Sequence, residues 1–147
     1  MKYFTRAMIR TMHSWDLSHS EWRKICNAYN ASVEKIAGSF TPGLATLADS
    51  RFHDCENITI PTGGTQVVIQ LEGTRCLYST DERLVGRHEL VFKAATLHIL
   101  EPLHDPDYWL YEEVGRKGHF WTYSAIMEWG QIAVEFRDCE VKLNSRA

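Results

Sequence analysis

The sequence predicts an α+β domain in which N-terminal helices, one of them long and amphipathic, pack on a mainly antiparallel sheet of about six to eight strands. Three observations carry this. Apolar residues between Leu17 and Gly38 recur at steps of three and four, the spacing of one helical face. From about Phe52 onward the period shortens to two. Short turn-like stretches separate the alternating segments, and neighbours joined so closely must run antiparallel, because a parallel pair needs a crossover of about a dozen residues. The 147 residues form one domain, with 1–50 mainly helical and 51–147 mainly strands. A chain of that size buries roughly 68–70% of its unfolded surface and needs no metal or disulfide to complete its core.

In chain order, Thr5 to about Ser14 is a short helix with Met8, Ile9 and Met12 on its apolar side. The long helix follows. Trp22, Ile25, Cys26, Tyr29, Val33, Ile36 and Ala37 form its buried face, Ser18 and Glu21 fit a capping box, and Gly38 stands where a left-handed residue commonly ends a helix. Thr41-Pro42-Gly43 opens a loop. Glu56–Pro61 and Gln66–Glu72 flank Thr62-Gly63-Gly64-Thr65 as a hairpin. Further strands are expected at Arg75–Ser79, His88–Leu100, Tyr108–Val114, His119–Trp129, Ile132–Phe136 and Glu140–Leu143, with tight connections at Lys117-Gly118 and Gly130-Gln131. Consecutive strands joined this way make a meander.

A composition of 44% hydrophobic and 24% charged residues is that of an ordinary globular chain. Arg6 and Arg10 interrupt the start where a secretory signal needs an apolar run, and no stretch approaches the roughly 20 apolar residues of a membrane span. A soluble, cytoplasmic protein is the expectation. Cys26, Cys55, Cys76 and Cys139 are scattered without metal-site spacing, so four reduced packing residues and no metal or cofactor are expected. The net charge of -3 is unevenly spread: residues 1–37 hold six Lys/Arg against three Asp/Glu, whereas residues 101–140 hold nine acids against three bases. No dense basic face is available for a phosphate backbone, which excludes nucleic acid as the expected partner.

Catalytic motifs are missing: there is no nucleophile elbow, no phosphate-binding loop, and His88-Glu89 lacks a second histidine four residues on, where Phe92 stands. Two His-Asp pairs occur. His104-Asp105-Pro106-Asp107 is turn chemistry. His53-Asp54 abuts a strand, and Asp54 is expected to accept hydrogen bonds where the chain enters it. Glu112 and Glu113 are adjacent, so on a strand they point to opposite faces, and both are expected to reach solvent at a sheet edge or end.

Met1-Lys2-Tyr3-Phe4-Thr5, Phe52-His53-Asp54-Cys55-Glu56-Asn57-Ile58, Phe92-Lys93-Ala94-Ala95-Thr96-Leu97 and Trp109-Leu110-Tyr111-Glu112-Glu113-Val114 together resemble a family of small, uncharacterised bacterial proteins. The resemblance implies a bacterial source and brings no catalytic residues. Small size, missing motifs and the acidic C-terminal half lead to the expectation of a non-catalytic protein-binding domain, in its specific form an immunity protein that neutralises a bacterial toxin. A basic partner would meet Glu101, Asp105, Asp107, Glu112 and Glu128, with Trp109 or Trp129 as aromatic anchor. The alternative is a small-molecule-binding domain or hydrolase using His53, Asp54 and Glu112. A third reading is a subunit whose exposed aromatics mediate self-association.

Overall fold

The computed structural model describes residues 1–13, 17–61, 63–73 and 85–145; the strand expected at Arg75–Ser79, Cys76 and the side chain of Met12 lie outside these. Helix α1 spans Arg6–His13 and buries Met8 and Ile9. The long helix, α2, spans His19–Ala37. It begins as expected, with the Ser18 side chain accepting from the Glu21 amide while the Glu21 carboxylate accepts from the Ser18 amide. Its end differs. Gly38 keeps right-handed helical geometry (φ -62°) rather than the left-handed cap.

The segment expected to open a loop is a third helix, α3, over Pro42–Asp49. Thr41 caps it by accepting the Leu44 amide, and Pro42 takes the first-turn position where a missing N–H costs nothing. The signal was present but short, because the helix shows only two fully buried positions, Leu44 and Leu47.

Eight strands are described: β1 (Glu56–Thr59), β2 (Gln66–Gly73), β3 (Gly86–Lys93), β4 (Thr96–Glu101), β5 (Trp109–Lys117), β6 (Phe120–Met127), β7 (Gln131–Phe136) and β8 (Asp138–Ser145). Every pair is antiparallel, but the strands form two four-stranded sheets in the orders β1-β2-β3-β8 and β4-β7-β6-β5 rather than one meander. The run expected as a single strand over His88–Leu100 is broken at Ala94, whose φ of 47° turns the chain from the first sheet into the second. Its partner bends at the same level, between Phe136 and Asp138, and the Arg137 amide donates to the Lys93 carbonyl across the corner. The pairing register runs unbroken through the bend, from Gly86 opposite Ser145 to Lys93 opposite Asp138, then from Thr96 opposite Glu135 to Ile99 opposite Ile132. One long ladder therefore belongs to both sheets.

The core lies between the sheets. Phe52, Ile69, Leu90, Phe92, Trp109, Tyr123, Ile132 and Phe136 are fully buried there, Phe92 packing edge-on to Phe136 with ring centroids 4.8 Å apart. A second cluster sits on the outer face of the second sheet, where Phe4, Met8, Ile9 and Tyr29 cover Ile126 and Tyr111. The amphipathic face of α2 thus packs on a sheet, as its periodicity requires.

Two outer edges are met by other parts of the chain. Along β5, the Tyr29 hydroxyl accepts the Val114 amide at 3.0 Å, the Asp54 amide donates to the Trp109 carbonyl at 2.8 Å, and the Trp109 amide donates to the Cys55 carbonyl at 2.9 Å. Along β8 lies α3, so close that a Cβ on Gly43 would stand 1.8 Å from the Cys139 carbonyl oxygen. Gly43→Ala must push α3 off β8. The expected loss is about 3 kcal/mol of stability, measured by denaturant unfolding; a variant within about 0.5 kcal/mol of the parent would contradict this packing.

Candidate functional site

The nine acids of residues 101–140 do not make an acidic face. Main-chain amides and basic side chains consume most of them. Glu113 is buried on the outer face of β5 and accepts the amides of Lys2, Tyr3 and Phe4 at 2.7, 2.6 and 2.6 Å, fastening the N-terminal segment to the sheet. Asp107 is also buried and accepts four amides, those of His104, Tyr108, Trp129 and Gly130, at 3.0–3.2 Å. Hydrogen bonds to a charged acceptor contribute about 1.5–3 kcal/mol each, and several are needed to offset the several kcal/mol that burying an ion costs. Glu101 is held by the Arg6 guanidinium, Glu135 by Lys117 and Asp138 by Lys93. Asp105, Glu128 and Glu140 remain exposed and outside these pairs.

Glu112 and Glu113 do face opposite ways, but neither reaches solvent: they are 7% and 8% exposed. A register shift between Trp109 and Tyr111 places Trp109 and Glu112 on the same inner face, where the Trp109 indole donates to the Glu112 carboxylate at 2.8 Å. Burial raises the Glu112 pKa, a shift opposed by the nearby Arg51 charge, by the Trp109 bond, by the Phe52 amide and by His53. Glu112, Asp107 and Trp109 are therefore corrected as partner contacts: each is enclosed, and Trp109 is fully buried against Phe52 and Tyr123. Tyr123 is buried with its hydroxyl unpartnered among the described residues, and the Glu112 charge further raises its pKa after burial itself.

His53, Asp54 and Glu112 share one neighbourhood without forming an open site. His53 Nδ1 donates to the Leu110 carbonyl at 2.7 Å, and its Nε2 lies 3.6 Å from the Asp54 carboxylate. Asp54 acts through its backbone more than the expected side-chain acceptor role suggests: it holds a left-handed φ of 64° while its amide pairs with Trp109. Glu112 is enclosed in the core, where the His53 charge acts on it. Among the described residues, no group of three His, Cys, Asp or Glu is arranged to hold a metal ion. Cys26 and Cys139 are free thiols, and burial pushes Cys139 up to about 12.

The surface feature that the residue reading missed is an apolar end of the second sheet. Ile99 (59% exposed), Leu100 (55%), Trp129 (58%) and Tyr108 (37%) are the exposed large apolar side chains among the described residues. They are not scattered. Arg6 binds the Glu101 carboxylate and the carbonyls of Met127, Glu128, Trp129 and Gly130, tying the end of β4 to the β6–β7 turn that carries Trp129. The Glu128 amide donates to the Tyr108 carbonyl, and the His104 and Trp129 rings lie 6.0 Å apart. Between α1 and Trp129 a cleft of about 260 Å³ is lined by Ile9, Arg10, Leu110 and Glu128 among others. Of the contacts expected from sequence, Trp129, Glu128, Asp105 and Glu101 lie at this end. Period-two alternation hid this surface, because it sends one of the adjacent Ile99 and Leu100 to the core, whereas both are exposed.

Because burial raises the Glu112 pKa in the folded state, folding favours its protonated form, so its contribution to stability is full at acid pH and declines as pH rises through the raised value. Glu112→Gln keeps an acceptor for the Trp109 indole and removes the charge. Parent stability should therefore fall more steeply than the variant's as pH rises above the ordinary carboxylate range; parallel curves from urea unfolding would contradict it. No family model, curated protein or solved structure matches the chain.

Proposed function

We propose that this chain is a non-catalytic protein-binding domain, and that its specific role is that of an immunity protein which neutralises a bacterial toxin by covering part of its surface. One observation carries the binding reading: the large exposed apolar side chains gather at one end of the second sheet. Single exposed apolar residues are normal on any protein, whereas grouped ones mark contact surfaces. Trp129 is the aromatic anchor of this surface, since Trp is enriched among residues that dominate binding energy. The toxin role rests on the sequence resemblance and on the missing catalytic motifs.

A basic partner remains the best fit, for a narrower reason than the sequence suggested. The charge presented to it comes from Asp105 and Glu128 at the rim of the apolar end, while the other acids there are buried or paired. Rim charges of this kind set the rate of encounter and its salt dependence more than the strength of the complex.

The test uses affinity capture from bacterial cells that carry the gene, with the parent chain, Trp129→Ala and Leu100→Asp as baits. Both substitutions fall on exposed positions and should change stability by no more than about 0.5 kcal/mol. A protein held by the parent and lost by both variants, associating more slowly as salt rises, is the expected result. Capture of nothing specific, or of a protein that ignores both substitutions, would contradict the reading.

A further inference from the structure

We propose that the partner is bound by strand addition: an extended segment of it pairs main chain to main chain with the outer edge of β4. Its apolar side chains meet Ile99, Leu100 and Trp129, and a Lys or Arg meets Glu128 or Asp105. This rests on the protein-binding reading above and fixes the conformation and chemistry of what is bound.

A terminal strand presents unpaired N–H and C=O groups, and folded proteins shield such edges or break them up. The edge of β5 is shielded by Tyr29 and residues 53–55; that of β8 has α3 packed against it at Cys139 and carries Lys142 further along. The edge of β1 is short, with a register shift and a left-handed Asn57 (φ 53°) inside four residues. Among the described residues, nothing covers or disrupts the edge of β4 over Thr96–Ile99. Its last main-chain neighbour on that side is Thr65, whose carbonyl accepts the Ala95 amide at 3.3 Å, and beyond it no main-chain partner is found among the described residues. The strand's single irregularity lies between Ile99 and Glu101, at its far end.

Thr96-Leu97-His98-Ile99-Leu100 carries no Lys, Pro or acid to repel a pairing strand, so left bare it would be an aggregation hazard. A helix could cover Ile99 and Leu100 but has no free main-chain groups for the edge; an extended segment satisfies both needs. The regular open stretch, Thr96–Ile99, is about 13 Å long at the rise of a strand. Charge selects among extended segments. Glu101 is occupied by Arg6, which leaves Glu128 and Asp105 for a cation on the incoming chain. A second copy of this chain fits less well: a two-fold antiparallel match of β4 with itself sets the Thr96 end of one copy at the Glu101 end of the other, and supplies Thr96 where a cation is wanted.

The experiment titrates the isotope-labelled full chain with a short blocked peptide alternating lysine and valine, following amide resonances. Two control peptides are used, one methylated on alternate main-chain nitrogens and one with glutamate replacing lysine. The expected result is shifts confined to residues 96–101 and the Trp129 indole, with binding at least about tenfold weaker for either control, since about 1.4 kcal/mol is tenfold. Ile99→Lys should abolish the shifts without unfolding the chain, because Ile99 is mostly exposed. Strand addition is overturned by equal binding of the methylated peptide, by shifts centred on another strand, by no binding at millimolar peptide, or by self-association through β4. Shifts at Trp129 and Glu128 that ignore methylation would overturn strand addition alone, whereas a captured partner indifferent to Trp129 and Leu100 would overturn the protein-binding reading beneath it.

Discussion

The bend at Ala94 and Arg137 is the constraint on which the rest of the structure depends. Two strands carry one unbroken antiparallel ladder out of the first sheet and into the second, so the sheets share a corner as well as an interior. The corner brings the inner faces together around Phe92, Phe136 and Tyr123. It also decides which edges are exposed. While the chain is β3, it lies between β2 and β8; once past Ala94 it is β4, with β7 on one side and, after Thr65, nothing described on the other. The same change of direction that closes the core opens the edge.

Carboxylates do the fastening that short loops cannot. A segment laid across a sheet face, such as Lys2–Phe4, has amides that no ladder will pair, and unpaired buried amides are costly. Glu113 supplies acceptors for three of them and Asp107 for four in the turns at the other end. Arg6 does the complementary work on carbonyls. A local excess of acid in the sequence is therefore largely architectural: it counts the amides that irregular backbone must satisfy, and only Asp105, Glu128 and Glu140 are left as free surface charge.

The long helix with its capping box, the change of period near Phe52 and the antiparallel pairing were legible because each rests on a local rule: spacing of apolar residues, a four-residue cap, short connections. The division into two sheets was not. His88–Leu100 reads as continuous because Ala94 is an unremarkable residue in sequence, and its left-handed turn is imposed by tertiary packing. Helix α3 was missed because Thr41-Pro42-Gly43 satisfies turn chemistry and a helix start equally well, and Gly43 is glycine for its approach to Cys139, a contact across the fold. At the site, Trp129, Glu128, Asp105 and Glu101 were picked out by residue type. Trp109, Asp107 and Glu112 were picked out by the same rule and are buried, since type alone does not report which face a strand presents after a register shift.

Native-state amide hydrogen exchange, followed residue by residue, tests the central claim that β4 presents an edge which none of the described residues covers. Alternate amides along Thr96–Glu101, those turned away from β7, should exchange at nearly unprotected rates. The intervening amides, and those of Val114 on β5 and of β6, should be protected to the level of local or global unfolding. Uniform protection along the whole of β4, equal to that of β6, would mean that its edge is already covered and would contradict the account.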